Sequence, residues 1–142
     1  MAENGICENA DVYKGAIPGG MKPAMKIVII GLVQSNPKRF TVTLGNSTEQ
    51  EVDIGFQLEV NFQEKVAIRN AKISGKWGLQ EKNIPYFPFS PGDTFKMEII
   101  CEHQCLRVLV DRQKLCDFAH RVDMQTLTVL KINGDVQLTK VA

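Results

Sequence analysis

The sequence has little of what chemistry usually needs. Its 142 residues hold two histidines, one tryptophan and four cysteines. Neither His103 nor His120 belongs to a recognisable catalytic constellation. There is no Gly-x-Ser-x-Gly elbow, no glycine-rich phosphate loop and no pair of catalytic carboxylates, so an enzyme is not expected. Cys7, Cys101, Cys105 and Cys116 show no Cys-x-x-Cys spacing, which points to free thiols in a cytosolic protein rather than a disulfide framework. The run Cys101-Glu102-His103-Gln104-Cys105 offers metal-ligating residue types, but it falls in an expected hairpin turn without a second ligand pair. Neither a metal nor another cofactor is therefore expected. A net charge of +1 gives no reason to expect nucleic acid or an anionic membrane as partner. No apolar run reaches the length of a membrane span, which argues against membrane insertion. Met1-Ala2-Glu3-Asn4-Gly5-Ile6 lacks the basic and apolar regions of a signal peptide, so a cytoplasmic location is expected. Without a secretory signal, Asn46-Ser47-Thr48 reads as a polar turn rather than a glycosylation acceptor.

What is present is a strand pattern in a chain long enough for one domain with a real core. Residues 1–14 read as a flexible polar tail and residues 15–142 as the domain. Met25-Lys26-Ile27-Val28-Ile29-Ile30 is a β-branched run after the breaks at Gly19-Gly20 and Pro23, and Phe40-Thr41-Val42-Thr43-Leu44 alternates with period two. The clearest strand follows, with Ile54, Phe56, Leu58, Val60 and Phe62 on one face and Gly55, Gln57, Glu59 and Asn61 on the other. One face packs on a core and the other meets water. Further strands are expected at 66–70, 95–101, 106–110, 115–118, 129–132 and 136–141, with a short helical turn at 124–127. Many short strands separated by turn residues predict an all-β, antiparallel two-sheet sandwich.

Trp77 carries the functional signal. It stands in Lys76-Trp77-Gly78-Leu79-Gln80-Glu81-Lys82, among small and polar neighbours, and Tyr86-Phe87-Pro88-Phe89 follows closely. A core position would surround it with apolar residues. An exposed ring beside polar groups is a platform on which a sugar can stack.

This layout resembles the galectins, small lectins with a Trp-Gly-x-Glu-x-Arg motif shortly before a Pro-Phe segment. The resemblance covers residues 17–142 and extends to Gly19-Gly20-Met21-Lys22-Pro23, Pro91-Gly92, Phe118-Ala119-His120-Arg121 and Ile132-Asn133-Gly134-Asp135-Val136-Gln137-Leu138. It implies a jelly-roll β-sandwich with a galectin-like carbohydrate-recognition domain, and non-classical secretion as in the family. The family's sugar strand carries His-x-Asn-x-Arg, and those positions fall here on Gln57, Glu59 and Asn61. Asn70 and Trp77 match the family pattern, whereas Gln80 and Lys82 stand where it has Glu and Arg. Tyr86-Phe87-Pro88-Phe89, Cys101-Glu102-His103, Asp117-Phe118 and Lys131-Ile132-Asn133-Gly134-Asp135 are similar to a galectin-related branch regarded as having lost β-galactoside binding.

The substitutions remove a forked cationic donor at Asn61 and a carboxylate at Gln80, and they add an acceptor-only carboxylate at Glu59. Glu59 and Lys82 are expected to approach each other across the emptied site. The resemblance thus implies a galectin-fold protein without ordinary lactose binding that acts through an unidentified protein partner. The alternative is a lectin of weak or altered specificity that takes a different glycan through Trp77 and Asn70. A monomer or weak homodimer is expected. His120 reads as a structural hydrogen-bonding residue. If Asn70 faces the groove, strict alternation turns Arg69 inward with Ala67, unless a bulge or a sheet-edge position intervenes.

Overall fold

The computed structural model describes residues 11–46 and 53–142. Cys7, residues 1–10 of the expected tail, and Ser47-Thr48 of the Asn46 turn lie outside the described residues. Eleven strands follow in order: β1 Asp11–Ala16, β2 Lys26–Val33, β3 Arg39–Gly45, β4 Ile54–Asn61, β5 Val66–Ile73, β6 Lys76–Trp77, β7 Thr94–Cys101, β8 Cys105–Val110, β9 Gln113–Ala119, β10 Val129–Gly134 and β11 Val136–Val141. The one helical element among the described residues is the 3-10 turn Met124–Thr126, opened by the Asp123 side chain accepting from the Gln125 amide. β1 begins at Asp11, inside the stretch expected to be tail, because it pairs antiparallel with β10.

Two sheets form the sandwich expected from the pattern. One has six strands in the order β1-β10-β3-β4-β5-β6, the other five in the order β11-β2-β7-β8-β9. Every strand pair is antiparallel. The core fills the space between the sheets. From one side come Phe40, Val42 and Leu44 of β3 and Phe56, Leu58 and Val60 of β4; from the other come Ile29, Met97, Ile99, Leu106, Val108 and Phe118. Burying these side chains drives assembly, because each removes a large apolar area from water.

β4 departs from strict alternation at its start. Ile54, Gly55 and Phe56 are all buried, and the registers with β3 and β5 both slip there. Gly55 is the extra residue of a bulge. A Cβ at that position would run into the side chain of Leu127 and lie 2.7 Å from Val122. From Phe56 onward the period-two pattern holds, with Leu58 and Val60 inward and Gln57, Glu59 and Asn61 outward and half-buried. Phe62, expected in the core, is half-buried and packs against its margin.

Cys101, Cys105 and Cys116 are free thiols. Cys101 and Cys116 are buried. Burial pushes the Cys116 thiol up to about 11, against an opposing pull from the Arg69 guanidinium. Because the folded value lies above the ordinary one, the site favours the fold below about pH 9 and loses that contribution as pH rises further. At pH 8, Cys116 in the native protein is expected to alkylate roughly a hundredfold more slowly than in urea, from its thiolate fraction alone. Mass spectrometry of iodoacetamide-treated samples checks this; equal rates would contradict the burial. Cys105 is half-buried, and burial raises its pKa as well.

Candidate functional site

The outer face of β4 and β5, together with the segment after β6, forms a groove of about 520 Å³ lined by Gln57, Glu59, Ile68, Asn70, Trp77, Gly78, Leu79 and Gln80. Antiparallel pairing sets Gln57 directly opposite Asn70. Five of the seven positions singled out in the sequence therefore meet here. Asn61 and Lys82 do not. The Asn61 side-chain oxygen (Oδ1) accepts from the Glu64 amide at 3.0 Å and closes the β4–β5 hairpin. Lys82 is exposed and lies past the backbone bridge between Arg69 and Glu81.

Trp77 is 47% exposed, which excludes a core role. The Lys72 ammonium, on the residue paired with it across β5 and β6, lies 5.8 Å from the ring centroid. Asn70 is heavily committed within the protein. Its side-chain amide donates to the Gly78 carbonyl at 2.9 Å. Its oxygen accepts from the Ala71 amide at 2.8 Å and from Arg121 at 2.9 Å, which fills both acceptor positions.

The expected approach of Glu59 to Lys82 does not occur. The Glu59 carboxylate instead pairs with Arg39 of β3 at 3.6 Å. Arg39 is its diagonal cross-strand neighbour, since Arg39 faces Asn61 and Thr41 faces Glu59. This pair is exposed enough to contribute only about 0–1 kcal/mol. Its consequence is electrostatic: among the described residues Glu59 is the one charged residue lining the groove.

Two arginines hold the segment that presents Trp77. Arg121 donates to Asn70, to the Leu79 carbonyl at 2.7 Å and to the Glu81 carboxylate at 3.0 Å, while its guanidinium sits 4.7 Å from the Phe118 ring centroid. Gly78 leaves room beside it: a Cβ there would lie 3.0 Å from the guanidinium, which would have to shift by a few tenths of an ångström. Arg69 keeps strict alternation and points inward, 3% exposed, so neither a bulge nor an edge position is needed to place it. Its guanidinium donates to the Ala67 and Asn83 carbonyls, each at 2.8 Å, and its Nε lacks a partner among the described residues. Backbone bonds between Arg69 and Glu81, both 2.8 Å, complete the attachment.

Arg121, Glu81 and Arg39 were not singled out in the sequence. The one local signal was Gly78, a glycine that needs a reason for close approach. Arg121→Ala is expected to destabilise by roughly 1–3 kcal/mol, because it strands the Asn70 and Glu81 acceptors and frees the Trp77 segment. Arg121→Lys should recover only part of this, since an ammonium does not fork. Urea melts followed by Trp77 emission check both; parent-like curves for Arg121→Ala would refute the clamp. His120 has a structural setting, with its Nε2 2.9 Å from the Glu102 carbonyl. Among the described residues no three His, Cys, Asp or Glu side chains gather as a metal site.

The family model of the galactoside-binding lectins matches residues 12–142. The chain belongs to the galectin family. Human galectin-4 is 34% identical over 132 residues, which cover 91% of this chain and 40% of that protein. The chain thus spans well under half the length of that relative. Sheep galectin-11, solved in complex with glycerol, superimposes with a TM-score of 0.85 at 24% identity, covering 94% of this chain and 97% of that one. At that identity the likeness speaks for the fold alone, and it agrees with the two-sheet sandwich derived from the strand pattern. In this galectin the groove beside Trp77 holds no guanidinium among its lining residues.

Proposed function

We propose that this galectin domain does not bind lactose in the family's usual way and acts through protein contacts, like the galectin-related branch it resembles. The observation that carries the reading is the internal commitment of Asn70, whose oxygen is filled by Ala71 and Arg121 and whose amide holds Gly78. Trp77 offers a stacking face, but Gln57, Glu59 and Gln80 give a sugar no forked cation. A stack contributes roughly 0.5–1.5 kcal/mol beyond area burial. Two missing charged hydrogen bonds, at roughly 1.5–3 kcal/mol each, outweigh it.

The protein-contact part rests on the free edge of the six-stranded sheet. Ile73, Trp77 and Leu79 are 40%, 47% and 83% exposed around the β5–β6 hairpin. Apolar groups this exposed, clustered beside a groove, support an interaction surface there. A cytoplasmic, reducing location suits the free thiols Cys101, Cys105 and Cys116.

The second reading, an altered glycan specificity, is favoured by one feature: Glu59, an acceptor-only carboxylate in reach of a ligand stacked on Trp77. Lactose titrated into labelled protein is expected to leave the amide and Trp77 indole signals unmoved at low-millimolar concentrations. Saturable lactose shifts would overturn the first reading, and a positive glycan array without lactose binding would promote the second.

A further inference from the structure

A second concavity, sharing no residue with the Trp77 groove, opens at the end of the sandwich with a volume of about 580 Å³. We propose that it binds a small organic anion with a flat aromatic body, an aryl carboxylate. Three segments wall it: the β2–β3 connection around Pro37, the β4–β5 hairpin from Phe62 to Lys65, and the stretch from Phe87 to Pro91.

The floor is aromatic. Phe62 and Phe87 pack edge to face with centroids 5.7 Å apart, and Phe87 and Phe89 do the same at 5.7 Å. Phe89 is buried and anchored on Phe40 and Phe95. Phe62 and Phe87 are only half-buried, so part of each ring faces the opening. Rings held in this arrangement leave faces and edges for a further ring to pack against.

The rim is cationic. Lys38 and Lys65 are exposed at the mouth, and neither makes an ion pair among the described residues. Among the described residues no Asp or Glu lines the cavity. An apolar ring system below two unneutralised ammonium groups complements a ligand that carries one carboxylate on an aromatic body. The volume falls within the range of about 300–1,000 Å³ typical of small-molecule sites.

The walls are preformed. The Lys38 amide donates to Asp135 at 2.8 Å, the Phe62 amide donates to the Lys38 carbonyl at 3.0 Å, and the Gly92 amide donates to the Val33 carbonyl at 3.0 Å. Asn61, absent from the Trp77 groove, caps the same hairpin through Glu64. Binding therefore requires little ordering of the protein.

The test is a titration of nitrogen-15-labelled protein with 2-naphthoate and, separately, with its neutral isostere 2-naphthamide. Naphthoate is expected to give saturable one-to-one shifts at Lys38, Gln63 and Lys65 while the Trp77 indole stays still, and naphthamide to bind more weakly. The exposed double variant Lys38→Glu/Lys65→Glu should weaken naphthoate about tenfold, from the loss and reversal of two surface charges. A change below about threefold in that variant overturns the proposal, since it would leave the charges without a role. So do equal affinities for the two ligands, shifts centred on Trp77, or no saturation at millimolar naphthoate.

Discussion

Leu58→Ala is expected to destabilise the protein by roughly 2–5 kcal/mol, and the adjacent Gln57→Ala by no more than about 0.5 kcal/mol. The two side chains leave the same strand in opposite directions. Leu58 is fully buried, in the central part of the six-stranded sheet, with Val42 of β3 and Arg69 of β5 as its cross-strand partners. Truncation removes an isopropyl group from a site flanked by paired strands and covered by the second sheet. The surroundings have little freedom to collapse, so the lost transfer free energy and the cavity both count. Gln57 lines the open groove, and its loss exposes nothing apolar beyond the strand itself. Urea melts of the two variants decide the matter through their midpoints at a common slope. Equal losses would mean that the faces of β4 are assigned the wrong way round.

That contrast was readable in the chain because period-two alternation from Phe56 to Val60 leaves one register open. Other parts of the fold were not readable. β1 has little apolar mass of its own and exists through pairing with β10, more than a hundred residues away in the chain. β6 is two residues long and depends on its neighbour β5. The bulge at Gly55 interrupts alternation because Val122 and Leu127 occupy the space a side chain would need, and neither is near it in sequence.

The groove divides in the same way. The resemblance to the family motif grouped Gln57, Glu59, Asn70, Trp77 and Gln80, and strand alternation with two successive hairpins suffices to bring them together. Partner choice was out of reach. Glu59 takes Arg39 because β3 lies beside β4, whereas Lys82 has left the groove after the Arg69–Glu81 bridge. Arg121 reaches Asn70 across 51 positions. Such tertiary pairings follow from topology rather than local pattern. The inward setting of Arg69 depends likewise on Asn83, whose carbonyl accepts from the guanidinium.

If the parent is silent to lactose, as proposed, restoring the family pattern at five positions together, with Gln57→His, Glu59→Asn, Asn61→Arg, Gln80→Glu and Lys82→Arg, is expected to give a saturable lactose response. A dissociation constant of about 1 mM needs only about 4 kcal/mol. Two charged hydrogen bonds and one neutral bond amount to roughly 3.5–7.5 kcal/mol before losses from imperfect geometry. The platform need not be built, because Trp77 is exposed and Arg121 holds the segment that presents it. Each single reversion is expected to fail for its own reason. Asn61→Arg alone sets a guanidinium near Glu59, which takes it in place of a sugar. Gln80→Glu alone adds a second carboxylate to a groove already lined by Glu59. Glu59→Asn alone releases Arg39 from its pair without supplying the missing fork. Residues that act as one hydrogen-bonded unit are not additive, so the gain belongs to the set. Calorimetric titration of the parent, the five single variants and the combined one tests this. A combined variant with parent-like thermal stability that stays silent to lactose would show that the substitutions are not what excludes the sugar, and would place the obstacle in the internally bonded Asn70 and the segment it holds.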